Sequence, residues 1–404
     1  MESSDLVNGL EQRVELHSPD FSHDPHRAYR QMRERFGRLV PVELAPGVPA
    51  TLVIGYRTGL AILNDPDRFP TDPRTWEPSV PPECPVLPAM RWRPSASRTT
   101  GFEHARLRAA VSAALDEVDL HGVHAIVERT ATPLINAFCT TGSAELVTQY
   151  AGPVVFMVIN HLLGCPPEIS QKAAAGIAAI LDGGSDAEEG NRAFESALLE
   201  LMELKRTTPG TDIASGLLRH GDTLDDDEIL QQLIMFYGIG MEAAQSLIVT
   251  ALWLLLTDDR FGGSIVSGVL STRDALDSVL FEDPPLPNIS FSYPRQPIMM
   301  DDVWLPAHQP VVVSFAGCNS DPEIAAGDRT GNRAHLAWGA GPHACPAKSL
   351  GYLIAQCAVD QLLDALPELE LAVAADALEW RPGWLQRALA ALPVAFPPSP
   401  PLPS

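Results

Sequence analysis

The stretch from residue 226 to 257 constrains the fold more than any other part of the chain. It places Ile229, Leu230, Leu233, Ile234, Phe236, Leu247, Ile248 and Leu252 at helical spacing on several faces. A helix apolar nearly all round has to be covered on every side, which requires the core of a large domain. Further segments with helical periodicity, 103–116, 122–141, 145–163 and 346–365, supply the cover. Strand signals are short: 51–55 reads as half a hairpin, 303–305 and 310–315 as two strands across a turn, and 371–373 and 392–396 as further strands. The expectation is a mainly α single domain with a minor β region over residues 1–396, followed by a proline-rich, disordered tail at 397–404.

With 46% hydrophobic residues among 404, a large core can be buried. A formal net charge of −23 disfavours nucleic acid and anionic lipid as partners. Residues 1–10 contain Glu2 and Asp5 and no apolar h-region, so neither a signal peptide nor an anchor is expected there. No uninterrupted apolar run reaches the roughly 18 residues of a spanning helix. These features imply a cytoplasmic protein with no membrane partner. The six cysteines form no C-x-x-C pair, and in a reducing compartment they read as small buried hydrophobes. Cys345 is the exception.

Cys345 ends the segment His335-Leu-Ala-Trp-Gly-Ala-Gly-Pro-His-Ala-Cys345 and stands immediately before the helix at 346–365. Gly339 and Gly341 permit a tight turn with unusual dihedrals. Backbone N–H groups of such a turn and the helix N-terminus favour a thiolate over a thiol. An anionic sulfur in an apolar pocket suits a haem iron that needs a strong axial donor. Three rivals remain at this level. Gly339-x-Gly341 can begin a dinucleotide loop, but position 344 is Ala rather than a third Gly. His343 and Cys345 can form a catalytic pair. Cys345 can also be a plain buried thiol.

The segment 338–347 resembles the cysteine-ligand loop of cytochromes P450, F-G-x-G-x-H-x-C-x-G. Gly339, Gly341, His343 and Cys345 match; Trp338 replaces Phe and still offers an aromatic cover for the sulfur, and Ala347 replaces Gly. His104-Ala-Arg-Leu-Arg108 resembles the family's H-x-x-x-R, whose two members share a helix face and reach a haem propionate. Asp283-Pro-Pro285 followed by Arg295 resembles the region where an Arg on the next strand pairs with the other propionate, and Arg295 is the candidate. The segments 301–322 and 380–396 are also similar to the family, so the resemblance covers nearly the whole chain. It implies a soluble bacterial, actinobacterial-like P450 carrying haem b (iron protoporphyrin IX) on Cys345.

Two departures bear on function. The family's A-G-x-E/D-T-T appears here as Gly238-Ile-Gly240-Met-Glu242-Ala-Ala-Gln245, so Gly240 and Glu242 match while Ala243 stands where the catalytic Thr is expected. Loss of a positioned proton donor costs roughly 10²–10⁴-fold in comparable steps. Gly240 leaves room beside the helix, Glu242 is placed either to relay protons or to make a salt bridge, and Gln245 or a substrate hydroxyl can stand in for the Thr. The second departure is the E-x-x-R motif, whose positions hold Ser278 and Phe281. Well-packed apolar residues can replace a buried ion pair without loss of stability, and the resemblance is to a branch that lacks it.

The function implied is a haem–thiolate monooxygenase. It oxidises a small apolar or natural-product-like molecule with O2 and electrons from a ferredoxin and its reductase. The substrate would lie between the 79–99 loop, Ile239 to Ala243, and residues 289–291. Ala243 leaves oxidative coupling, dehydration or peroxide-driven oxidation open. A haem-binding sensor or interaction protein with little turnover is the alternative, and a haem-free helical protein a third.

Overall fold

The computed structural model describes residues 13–182, 187–220, 223–258, 260, 271–325 and 332–403. The N-terminal residues 1–10, examined above for a leader, lie outside them. The chain opens with β1 (Val14–Glu15) and α1 (Pro25–Phe36). In α1 the Asp24 side chain accepts from Arg27 N–H, Pro25 takes the first turn, and Gly37 ends the helix at φ +78°. A hairpin follows, β2 (Leu39–Ala45) and β3 (Val48–Val53), turning at Gly47. The helical body comprises α2 (Gly101–Asp116), α3 (Val123–Phe138), a short β4 (Ser143–Glu145), α4 (Gly152–Leu162), α5 (Pro167–Asp182) and α6 (Ala187–Thr207). The long α7 (Asp226–Thr257) runs through it. Then come α8 (Thr272–Glu282), β5 (Ser290–Ser292), β6 (Ile298–Met300), β7 (Val303–Leu305), β8 (Val311–Val313), α9 (Phe315–Asn319), α10 (Lys348–Ala365), β9 (Glu370–Leu371) and β10 (Pro393–Ala395). The mainly α architecture with a minor β region is the one the periodicities imply.

Helix α7 starts from a capping box, in which Asp225 accepts from Glu228 N–H and the Glu228 carboxylate accepts from Asp225 N–H. Residues Phe236–Gly240 widen into a π turn before the helix resumes at Met241. By length and composition alone α7 could cross a membrane, with mean hydropathy 1.6 over its most apolar window. More than half of that window is buried inside the protein. Leu233, Leu247, Ile248, Leu252 and Leu255 join α2, α3, α4 and α10 in one core.

The main sheet has the order β1-β2-β3-β8-β5. β8 pairs parallel with β3 (Thr51↔Val311) and antiparallel with β5 (Ser290↔Val313), and its three valines are all buried, as a central strand covered on both faces requires. The expected pairing of 303–305 with 310–315 is not what forms. β7 pairs with β6 around Asp301 and Asp302, at φ +46° and +62°. Two successive positive φ values make the tight turn a two-residue hairpin needs, so the turn after residue 305 is left to carry the chain into a different sheet.

The C-terminal segment also corrects the expectation of a disordered tail. Ser399 N–H donates to Cys139 O at 2.8 Å, Leu402 N–H donates to Asn136 Oδ1 at 2.7 Å, and Asn136 Nδ2 donates to Leu402 O at 3.1 Å. The Asn136 carboxamide thus pairs with both backbone groups of Leu402, and the Leu402 side chain packs on the helical core. Prolines supply no competing N–H, so the extended segment needs few partners to stay docked.

Candidate functional site

A cavity of about 300 Å³ lies between α7, the end of α8 and β5, and the loop before α10. Its walls are largely apolar, including Val111, Leu247, Leu280, Ile289, Phe291 and Phe315. Residues 96–98, Ile239 to Ala243 and 289–291 meet there, as expected for the substrate region, with Glu242 set off the wall.

Cys345 reaches the wall through a turn built on two glycines with positive φ, Gly339 at +69° and Gly341 at +66°. A Cβ on Gly341 would clash with Leu63 O at the end of the helix Tyr56–Leu63, so only glycine lets the turn press against that helix. Gly339 N–H donates to Leu336 O, and Cys345 N–H to Trp338 O, both at 2.7 Å. The thiol is free. Burial pushes its pKa up, while the Ala347 N–H bond to the sulfur and the nearby Arg108 and Lys348 charges act in the opposite direction. In this setting a coordinated metal ion, rather than the protein alone, would complete deprotonation. Trp338 also lines the cavity and lies against Gly351 of α10, and its indole N–H is buried without a partner.

His104 and Arg108 sit one turn apart on α2 and face the same loop. The His104 ring stacks on His343, with centroids 4.0 Å apart. Arg108 Nη2 donates to Ala344 O, and Arg108 reaches the cavity wall. Burial, with the neighbouring His104 and Arg108, lowers the His343 pKa to about 3, and burial with Arg108 lowers that of His104, so both imidazoles are neutral at neutral pH. His343 Nε2 stands 3.4 Å from Thr71 Oγ1, while His104 Nε2 is buried without a partner among the described residues. His343, Cys345, Trp338, Gly339 and Arg108 therefore share one wall, with His104 behind it.

Other candidates fall elsewhere. Arg295 lies three residues beyond β5, is exposed, and its charge acts on Asp72 rather than on the cavity. Gly240 and Ala243 do line the cavity, beside the π turn. Glu242 does not: Arg381 Nη1 donates to it at 3.1 Å and Ser246 Oγ at 3.3 Å. Gln245 lies against Gly152 of α4. The wall thus carries the methyl of Ala243 where a hydroxyl was expected, and no side chain of this turn presents one. Sequence motifs missed Arg98, Thr71 and Gln232, all on the wall. No spacing pattern marks them, because they come from loops and from α7 and meet only in three dimensions.

The missing E-x-x-R pair is replaced by other contacts. Phe281 packs edge-on against His335, with centroids 6.0 Å apart. Next to Ser278, the buried Asp277 accepts from Arg333 Nε at 2.8 Å and from Tyr352 OH at 2.9 Å. An ion pair thus still ties α8 to the segment leading into the Cys345 loop, displaced by one residue.

No protein-family model matches the chain. Along its length it is similar to curated actinobacterial proteins. It is 27% identical over 390 residues to 2-hydroxy-5-methyl-1-naphthoate 7-hydroxylase of Streptomyces carzinostaticus, covering 92% of this chain and 95% of that one. It is 27% identical over 399 residues to 6-deoxyerythronolide B hydroxylase of Saccharopolyspora erythraea, covering 94% and 98%. The cytochrome P450 monooxygenase PikC of Streptomyces venezuelae is 27% identical over 390 residues, covering 93% and 92%. Among solved structures, CYP154C4 from a Streptomyces species superposes with TM-score 0.84 at 26% identity, covering 95% of this chain and 97% of that one. The tirandamycin C-bound P450 monooxygenase TamI superposes with TM-score 0.82 at 26% identity, covering 95% and 100%.

The chain belongs to the cytochrome P450 superfamily. It is an oxidoreductase of that family, whose cofactor is haem b. The residues present fit that group. The cavity offers apolar faces for a flat macrocycle, a free thiol for the iron, and donors for carboxylates in Arg108, Arg98 and Thr71, with His104 behind the wall. Thiolate-ligated haem supplies electron density that favours O–O cleavage. The P450 chain itself holds the sulfur in a fixed turn and places the neutral imidazole of His343, with His104 against it, on the same largely apolar wall.

Proposed function

We propose that this P450 is a monooxygenase of a small apolar, natural-product-like substrate. It works in the cytoplasm with electrons from a ferredoxin and its reductase. The observation that carries the reading is Cys345 in the wall of an apolar cavity that also borders Gly240 and Ala243. In this reading Cys345 would hold the haem iron, Trp338 and Gly339 would shape its turn, and His104, Arg108 and His343 would hold the propionates. The names of relatives that hydroxylate a naphthoate or 6-deoxyerythronolide B, and the tirandamycin C complex of TamI, support the substrate class. The wall with Ala243 favours proton delivery by water beside Gly240 or by a hydroxyl of the substrate, because Glu242 is held by Arg381. The test is a carbon monoxide difference spectrum of the dithionite-reduced protein, followed by product analysis with a ferredoxin and reductase. A band at about 450 nm with oxygenated product is expected. A band at about 420 nm, or haem absent from folded protein, sinks the Cys345 assignment.

A further inference from the structure

Arg98 is a wall residue to which the sequence motifs give no role. Its exposure is 9%, so the guanidinium is buried. Nη2 donates to Ala89 O at 2.7 Å and Nη1 to Ser97 O at 3.4 Å, and the group sits 5.3 Å from the centroid of the Phe291 ring. No carboxylate pairs with it among the described residues; Glu103, the acid nearest in sequence, and Asp72 are both paired with Arg74. Burial pushes the Arg98 pKa down, the sign of a desolvated charge without a counter-ion. Within its electrostatic reach is Tyr293, whose hydroxyl is fully buried and has no hydrogen-bond partner among the described residues.

An uncompensated buried cation is strongly destabilising unless an anion meets it. Carbonyl dipoles and a ring face offset only part of that cost. The planar fork of Arg is suited to a carboxylate, to which it can make two parallel hydrogen bonds. Arg98 lines the same wall as Arg108 and His343, the part that gathers donors. Arg295, the arginine expected to serve a carboxylate from this side, is exposed and off the wall.

We infer that Arg98 seats a carboxylate that a bound ligand brings into the cavity. The acid group is either a propionate of haem or the acid of a substrate, and the closeness to His343 favours the propionate. The inference rests on the haem reading of the cavity.

The experiment compares wild type, Arg98→Met and Arg98→Lys as full-length holoproteins, with circular dichroism to confirm folding. Haem transfer to excess apomyoglobin gives the retention of haem. Titration with palmitic acid and with methyl palmitate, followed by the haem spectrum, gives the preference for an acid. For a propionate seat, Arg98→Met releases haem about 10-fold or more faster and Arg98→Lys falls between, because one charge-assisted pair is lost. Unchanged haem retention with loss of the acid-over-ester preference still supports a carboxylate seat and assigns it to the substrate. A folded Arg98→Met protein unchanged in both measurements overturns the inference. If Arg98→Met does not fold, Arg98→Lys decides by the same two readouts, since Lys keeps the charge but not the fork. A wild type without the band at about 450 nm refutes the thiolate reading, while the ratio of haem release between variants still reports on Arg98.

Discussion

Glu242 and Ala243 are neighbours in sequence with different surroundings. Ala243 faces the cavity, whereas Glu242 turns to Arg381 and Ser246. Both members of the ion pair retain some exposure, with 31% for Arg381 and 24% for Glu242, so the pair contributes little to stability. Glu242→Gln is expected to cost about 0.5–1 kcal/mol in urea unfolding and to change turnover only a few-fold. A proton relay through Glu242 would instead lower turnover by roughly 10²–10⁴, so single-turnover kinetics of the variant separate the two roles. The acid was legible in the sequence, but its direction was not. Two residues one position apart on a helix point about 100° apart, and which of them meets the cavity depends on how the helix is rotated against its neighbours.

At the scale of elements, α8 shows how one link is exchanged for another. Phe281 and Ser278 remove the expected ion pair, and Asp277 restores a link through Arg333 and Tyr352. Asp277 is buried to 8% exposure, so truncating it removes the carboxylate that meets Arg333 and leaves the Tyr352 hydroxyl only Arg273 O. Asp277→Ala is expected to lower stability by about 1.5–3 kcal/mol, read as a shift of the urea midpoint at constant slope. A change below a few tenths of a kcal/mol would show that Phe281 packing alone holds α8 to the segment ahead of Cys345. The docked segment 397–403 makes the same point. Its composition is that of a free tail, yet one Asn side chain on α3 pairs with its backbone.

Across the whole molecule, His26 of α1, Asp283 at the end of α8 and Arg387 near the C-terminus join distant parts of the chain. His26 Nε2 lies 3.0 Å from Asp283 Oδ1, and Arg387 Nε 3.2 Å from the same oxygen. The hydrogen bond to Asp283 raises the His26 pKa above its ordinary 6.5. Burial pushes the Asp283 carboxyl up, but His26 and Arg387 outweigh it and hold the pKa below the ordinary 3.8. Because the folded His26 value is raised, its contribution is complete below 6.5 and is lost as pH rises through the folded value. Because the folded Asp283 value is depressed, its contribution is complete above 3.8 and is lost as pH falls through the folded value. Stability from this triad is therefore greatest between those two ordinary values. His26→Gln should remove the part of the stability loss seen as pH rises above 6.5, measured as urea midpoints on either side of that value. An unchanged slope in the variant would show that His26 binds its proton no more tightly in the folded protein than in the unfolded chain.

What the sequence by itself determined are features fixed by neighbours along the chain. The Gly339–Gly341 turn into Cys345, the His104–Arg108 pair one helical turn apart and the all-round apolar stretch at 226–257 need only local dihedrals and helical spacing to be placed. What only the tertiary structure decided is which charges meet. Arg98 rather than Arg295 lines the cavity, Glu242 pairs with Arg381, Asp277 with Arg333, and the last residues with Asn136. The two ion pairs are electrostatic, and electrostatic partners are chosen by burial and by distance across the fold, neither of which a linear spacing records.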